Sequence, residues 1–511
     1  MLAAENAGLP GGKVGGIGDV IRDAPRALAA LGHRVTVVTP GYGHFSQLAG
    51  ARRVATVSTH FRAQPEALHL YQVPPETPVA GVSCLALEHP AFSQGGAGHI
   101  YIDDAPDRPF ATDANRFALL CAATASALAN GAIERPDVVH LHDWHSALFA
   151  LLLRVDPTYR PIADLPLVYT IHNLALQGIR PLAGDDSSLL AWFPDMTPVP
   201  DYAIDPRYRD CLNPVRAAIT LCDRIHAVSP NYASEICSAA SDFGCGLQPD
   251  LSAAGDAGRL SGILNGCDYA AAAVPAPDFR QFLELARRNV LRWIARSRQV
   301  QGAHVLALHR LERLLVNARR PRVLLTSVGR LTDQKIGLLC ARMPDGRLCL
   351  DHALDELGND GLCIMLGSGD PELELAIAGV AAERDNLLFL CGYSDDLSDL
   401  LYRGGDLFLM PSTFEPCGIS QMLAMRAGQP CLVNAVGGLA DTVDDGVTGF
   451  VFGACSQTSA EQALLGRLQQ ALYCLHRQPE KYAQLREAAA AVRFPWEHAA
   501  KAYVERLYRV A

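Results

Sequence analysis

The sequence predicts an α/β protein of two Rossmann-like, doubly wound domains facing an interdomain cleft, and three observations predict it. The chain is 511 residues long, 49% hydrophobic and only 19% charged, well past the size at which a single core stops growing. Short apolar strands alternate with helical stretches through the first half, the βα order of a parallel sheet. After a long, arginine-rich helical stretch from about Asp278 to Asn317 the same alternation starts again.

The elements follow in order. Met1-Leu2-Ala3-Ala4-Glu5 reads as the end of a buried parallel strand, which usually runs about 5 or 6 residues, so the natural start is expected a few residues upstream. Lys13-Val14-Gly15-Gly16-Ile17-Gly18-Asp19 turns into an amphipathic helix from Gly18 to Leu31, which stops at Gly32, a residue suited to the position after a helix end. Pro25 must sit near the first turns of that helix or kink it. Arg34 to Thr39, Val138 to Leu141, Leu167 to Ile171, Arg224 to Val228 and Leu260 to Leu264 each read as a strand. Residues 44–112 lack a clear period and read as irregular insertions. In the second half Val323 to Val328, Leu362 to Leu366, Asn386 to Leu390, Leu407 to Met410, Pro430 to Asn434 and Phe450 to Phe452 are strands. Proline and glycine gather in Asn265-Gly266-Cys267-Asp268 and Val274-Pro275-Ala276-Pro277, which marks the join and the hinge.

Composition excludes several classes. A net charge of −10 with no lysine/arginine block argues against a nucleic-acid surface. No run of about 18 apolar residues and no leader-like start occurs, so the reading is a soluble, cytoplasmic protein with no membrane partner. Fifteen cysteines, an odd number without a C-x-x-C pair, fit reduced thiols better than a disulfide framework or a zinc site.

In open α/β sheets ligands bind outside the carboxyl ends of the strands, and the chemistry-bearing residues cluster there. The loop from Lys13 to Asp19 offers backbone N–H groups, bared at Gly16, to an anionic ligand at a helix start. It is neither a G-x-G-x-x-G nor a G-x-x-x-x-G-K-[ST] pattern, so nicotinamide and NTPase readings are not supported. His140-Leu141-His142-Asp143-Trp144-His145 follows one strand and His172-Asn173 the next. Their spacing is poor for a metal, whereas sugar hydroxyls need paired donors and acceptors and Trp144 offers an apolar ring face. Arg330 and Lys335 follow a strand of the second half, where a guanidinium and an ammonium can share a diphosphate and neutralise charge as it departs. Glu415, within Pro411-Ser412-Thr413-Phe414-Glu415-Pro416-Cys417-Gly418-Ile419-Ser420, is the acid of another strand-to-helix turn, although a glutamate is also comfortable at a helix start for structural reasons. Val436-Gly437-Gly438-Leu439-Ala440-Asp441-Thr442-Val443 forms a further glycine-rich turn.

Taken together, KVGGIGDV, HDWHSAL, TIHNLALQG, AVSPNYASEI, ILNGCD, GRLTDQK, GYSDDL, FLMPSTFEPCGISQ, GGLADTV with TGFVF, and FPWEHAAKAY, in that order, closely resemble the bacterial glycogen synthase and plant starch synthase family over nearly the whole chain. The resemblance implies a GT-B fold and transfer of glucose from ADP-glucose to the non-reducing end of an α-1,4-glucan, with retention of configuration and without metal or other cofactor. It implies an acceptor-side domain over 1–265, completed by a final helix over 495–511, and a nucleotide-sugar domain over 266–494. Trp496, Ala499, Ala502, Tyr503 and Leu507 give that helix an apolar face able to pack on the first domain.

Residue by residue, the resemblance implies that Arg330 and Lys335 hold the diphosphate, that Lys13, Gly16 and Asp19 shape the donor site, and that Asn265 lies near the diphosphate. Glu415, with Cys417, Gly418, Ile419 and Ser420, would grip the transferred glucose and the nucleotide. His172 would sit over the reacting sugar, and Tyr393 would stack on the adenine; His142, Trp144 and Asn173 are sugar-binding candidates by residue type, with His140 and His142 alternatively only lining a strand end. Same-face attack, with the leaving phosphate helping to deprotonate the acceptor hydroxyl, makes catalysis mostly positioning and charge stabilisation. Ile336 departs from the family's usual lysine-glycine step, and Tyr269 with the alanines after it departs from its aromatic-proline pattern. Two rivals are a GT-B transferase using UDP-glucose and a non-catalytic glucan-binding protein; base recognition separates the first, an intact site the second.

Overall fold

The computed structural model describes residues 1–269, 278–297, 299–453 and 458–509. The segment Val274 to Pro277, read as part of the hinge, lies outside the described residues. The chain divides into two compact units, Met1–Gly266 with Pro495–Ala511, and Cys267–Phe494.

The second unit carries a six-stranded sheet, all parallel, in the spatial order Leu387–Cys391, Gly361–Gly367, Val323–Val328, Leu407–Met410, Cys431–Asn434, Gly449–Phe452. Counted along the chain this is 3-2-1-4-5-6, the doubly wound order whose switch point lies between the first and fourth strands. Each strand is a near-continuous apolar run because helices cover both faces of the sheet. Leu325, Met365, Phe389 and Leu409 face one core layer, Leu324, Ile364, Leu388 and Leu390 another.

The first unit repeats the plan. Leu2 makes parallel bridges to both Val38 and Leu141, with the Leu2 N–H on the His140 carbonyl at 2.9 Å and the Val38 N–H on the Met1 carbonyl at 2.9 Å. The short N-terminal stub thus joins strand Val35–Pro40 to strand Val139–His142. Counting the stub as first, the parallel order Val82–Glu88, Val35–Pro40, Leu2, Val139–His142, Leu167–Ile171, Arg224–Ala227, Leu260–Gly262 is 3-2-1-4-5-6-7. The helix Trp496–Tyr503 and Leu507 close this unit's core against Ala3, Val20, Ile21, Ala24 and Val37.

One expectation is corrected, and one of the two alternatives for Pro25 is excluded. Residues 44–112 are not irregular: Val82–Glu88 is the third parallel strand, and Arg52–Phe61 pairs antiparallel with Gln64–Gln72 at the sheet edge. The hairpin's turn residues, Arg62 and Ala63, both hold φ of 57°, a geometry normally signalled by Asn-Gly or Gly-Gly, so the turn carries no sequence mark. Pro25 lies well inside the helix Gly16–Ala30, beyond its first turns. No helix among the described residues is long and apolar enough to cross a membrane.

Candidate active site

In the first unit the residues singled out lie at or just after the carboxyl ends of the stub, of Val139–His142, of Leu167–Ile171 and, for Asn265, of Leu260–Gly262. Glu5, at the end of the stub, is only 2% exposed. Its Oε2 accepts the N–H groups of Val14 at 2.8 Å and Gly15 at 2.7 Å, and its Oε1 accepts the Tyr101 hydroxyl at 2.8 Å. That buried carboxylate folds the glycine loop back on the strand. Gly16, exposed, starts the helix Gly16–Ala30 with no side-chain cap at Gly15, and a Cβ on it would meet nothing within 4 Å. The helix start is therefore open to an anion, which its dipole favours. Lys13 pairs with Asp19 at 2.8 Å, and Arg22 approaches the same carboxylate at 3.2 Å. Sequence reasoning passed over Glu5, whose signal was an acid directly ending a buried apolar stub.

Beside it, Asp143 ends strand Val139–His142 with φ 61° and ψ −176°, a region that costs a non-glycine residue about 1–3 kcal/mol and tends to mark functional sites. Its carboxyl receives backbone N–H groups of Trp144 and Asn173, and burial still raises its pKa well above the usual carboxylate range. Asn173, half-buried, caps its own turn by accepting the Ala175 N–H at 3.0 Å. His172 is 8% exposed, and burial pushes its pKa down to about 3.

Trp144 and His142 are enclosed within the first unit, at 5% and 0% exposure. The Trp144 ring packs against Phe110, Phe117 and His145, and Gly178 lies so close that a Cβ there would sit 2.3 Å from it. His142 is fully enclosed and spends Nδ1 on His172 Nε2 at 3.1 Å. Asn265 is buried, and its Oδ1 has no partner among the described residues.

Burial lowers the pKa of His145 to about 3 and of His226 to about 4, as for His172. Unfolding returns each to an ordinary value near 6.5, so below that pH the unfolded chain binds more protons. Their stabilising contribution is complete above pH ~6.5 and is lost as pH falls toward about 3 to 4. The melting temperature is therefore expected to drop steeply between pH ~7 and ~4.5; a flat profile in differential scanning calorimetry would contradict the neutral, buried histidines.

In the second unit the two site segments leave the adjacent strands Val323–Val328 and Leu407–Met410, at the switch point. Lys335, on the first turn of helix Asp333–Cys340, forms a short ion pair with Glu415, whose Oε2 also accepts the Ser412 hydroxyl at 3.2 Å. Glu415 is 5% exposed. Arg330 is exposed and makes no ion pair among the described residues, so its charge is available to a ligand. Gln421, fully buried, donates to the carbonyls of Cys417 at 3.1 Å and Gly418 at 3.0 Å and to Thr442 Oγ1 at 3.2 Å, fastening the loop to the helix Gly437–Thr442. No pattern in the sequence marks it, since two of its partners are backbone carbonyls and the third, Thr442, lies 21 residues away. Gly418 sits at φ 75°. Ile419 and Ser420 are half-buried; the Ser420 hydroxyl accepts that of Tyr402 at 3.0 Å, and Cys417 is buried beneath them. Tyr393, after strand Leu387–Cys391, is 62% exposed.

Among the described residues no three His, Cys, Asp or Glu side chains are grouped as a metal would require. A cavity of about 400 Å³ among Phe450, Arg467, Tyr473 and Lys481 includes none of the candidate site residues.

Two doubly wound domains, each with glycine-rich turns and charged groups at its switch point, define a glycosyltransferase of the GT-B fold. The model of the starch synthase catalytic domain matches residues 1–253, and that of glycosyl transferases group 1 matches residues 351–491. The chain is 36% identical to the glycogen synthase of Anaeromyxobacter sp. (strain Fw109-5) over 100% of its own length and 98% of the relative's. It is 34% identical to glycogen synthase 1 of Methylococcus capsulatus over 98% and 94%. The catalytic domain of starch synthase IV from Arabidopsis thaliana, solved bound to ADP and acarbose, superposes with a TM-score of 0.75 at 27% identity, over 99% of this chain and 97% of that one. The chain belongs to the glycogen synthase and starch synthase family, retaining glucosyltransferases of glycogen and starch synthesis.

Proposed function

We propose that this enzyme, in the cytoplasm, transfers glucose from ADP-glucose to the non-reducing end of an α-1,4-glucan. The single observation that carries the residue assignment is the pairing of a buried, lysine-bound Glu415 with an uncompensated Arg330 at the switch point of the nucleotide-sugar domain. In this reading Arg330 and Lys335 bind the diphosphate, and Lys335 shifts its charge from Glu415 toward the phosphate as the glycosidic bond breaks. Glu415, released in part from the lysine, accepts hydrogen bonds from the glucose hydroxyls. The loop Cys417 to Ser420 lies along glucose and nucleotide, and the exposed Tyr393 ring stacks on adenine. On the acceptor-side domain, Gly16 offers the open helix start, Lys13 and Asp19 frame it, and Asn265 gives its unpaired amide oxygen. His172, with Asn173 beside it, contacts the reacting sugar.

No group is placed as a covalent nucleophile. The acceptor hydroxyl attacks from the face the diphosphate leaves, its proton passing to the departing phosphate oxygen, and retention follows. Incorporation of labelled glucose into glycogen, measured from ADP-glucose and UDP-glucose in parallel, tests the reading. Faster incorporation from ADP-glucose by at least about tenfold, that is ~1.4 kcal/mol of discrimination, is expected; preference for UDP-glucose, or no transfer, would overturn it.

A further inference from the structure

We infer that His142 fixes the tautomer of His172, so that His172 meets its substrate with the proton on Nδ1 and serves as a hydrogen-bond donor and not as a base. The inference rests on the proposed contact between His172 and the reacting sugar.

The starting point is the 3.1 Å approach of His142 Nδ1 to His172 Nε2, in which one nitrogen must carry the proton and the other must not. Burial drives both rings to the neutral form, with one N–H each. His142 Nε2 has no partner among the described residues. A proton there would be a buried donor without an acceptor, which folded proteins tolerate less often than an idle acceptor lone pair. The His142 proton therefore sits on Nδ1 and is donated to His172 Nε2. With Nε2 of His172 accepting, its own proton sits on Nδ1.

The His142 ring is held in this orientation from behind. His140 stacks on it at 4.2 Å between centroids and 26° between planes. The His140 ring is in turn fixed by a hydrogen-bond chain whose direction is fully determined. His226 Nε2 lies 2.9 Å from the Ile263 carbonyl, which can only accept, so His226 donates there and its Nδ1 is an acceptor. Thr170 must then donate its hydroxyl to His226 Nδ1 at 2.9 Å, and accept from His140 Nε2 at 2.6 Å. His140 Nδ1 is left to accept the Tyr508 hydroxyl at 2.8 Å. Of the three rings, His140 is 2% exposed, His142 0% and His172 8%, so His172 is the one that reaches outward.

The chemical consequence concerns the proton of the acceptor hydroxyl. His172 offers one nitrogen already protonated and one already occupied, and so has no site at which to receive it. The leaving phosphate is the remaining acceptor, and His172 stabilises an oxygen of the reacting sugar by donation. His142 is a positioning residue that acts through His172.

The test is nitrogen NMR on the full chain labelled with ¹⁵N-histidine, with the His172 signals assigned by their loss in His172→Ala, alongside steady-state kinetics. The wild type is expected to show His172 protonated at Nδ1. His142→Asn, whose amide can donate from the place of Nδ1, should keep that tautomer and most of the turnover. His142→Leu should release the tautomer and lower kcat by about 10- to 100-fold, the range for orienting partners behind a directly acting histidine, with little change in KM for glucan. A His172 proton on Nε2 in the wild type, or a folded His142→Leu variant with wild-type kcat, would overturn the inference. The tautomer is read without substrate, so failure of the glucosyl-transfer reading would appear separately, as absence of transfer by the wild type.

Discussion

Glu415→Gln is expected to lower kcat by about two to three orders of magnitude, the size seen when one preorganised electrostatic partner of a transition state is removed, while moving the melting temperature little. Glutamine keeps the volume and one acceptor oxygen, so the Ser412 contact survives, and Lys335, with 26% of its side chain exposed, can turn to water. Lys335→Ala differs in an instructive way. It strips the ammonium from a carboxylate that is only 5% exposed, leaving a buried charge supported, among the described residues, by the Ser412 hydroxyl, and breaking such pairs from one side is strongly destabilising. That variant should lose turnover to a similar degree and also melt earlier. Removing both groups in Lys335→Ala/Glu415→Ala should recover part of the melting temperature and none of the activity. Thermal melts and initial rates on the three variants decide the matter: near-wild-type kcat in Glu415→Gln removes the proposed role, and an unshifted melt for Lys335→Ala removes the structural coupling.

What could be read from the residues, and what could not, follows from the range of the forces involved. Strands buried on both faces announce themselves as apolar runs, so Leu167–Ile171, Val323–Val328 and Leu407–Met410 have the bounds the pattern suggests. The edge hairpin Arg52–Phe61 and Gln64–Gln72 has one wet face and a turn built from Arg62 and Ala63 at positive φ, and neither feature is visible in composition. Within the site, charged and glycine-rich segments after strands were legible because the carboxyl ends of parallel strands are where such sheets bind ligands. The roles of Glu5 and Gln421 were not. Glu5 meets a hydroxyl 96 residues away, and Gln421 reaches Thr442, 21 residues on, contacts that only the closed fold creates. Trp144 shows the converse ambiguity: a ring apolar enough to receive a sugar is also apolar enough to pack, and here it lies against Phe110, Phe117 and His145.

Gly438→Ala is the second large effect expected, and it tests whether the glutamate's position, and not only its charge, sets the rate. The N–H of Gly438 donates to the Glu415 carbonyl at 3.0 Å, which ties the start of helix Gly437–Thr442 to the loop that carries the carboxylate. A Cβ built on Gly438 falls 2.1 Å from the Cys417 carbonyl oxygen and 2.5 Å from its Cα. Backbone atoms cannot rotate away as a side chain can, so helix and loop must separate. The overpacking costs roughly 1–3 kcal/mol of stability, and a displacement of about 1 Å at Glu415 is enough to cost ~10²-fold in rate. Gly466→Ala is the matching control. It lies within helix Ala460–Arg477, a Cβ there meets nothing within 4 Å, and replacing a helical glycine by alanine gains about 0.5–1 kcal/mol. The control should melt higher with unchanged kcat, whereas Gly438→Ala should melt lower and lose turnover together. If Gly438→Ala instead kept its turnover while melting lower, the loop would tolerate being moved, and the catalytic contribution of Glu415 would rest on charge at a distance, not on contact geometry.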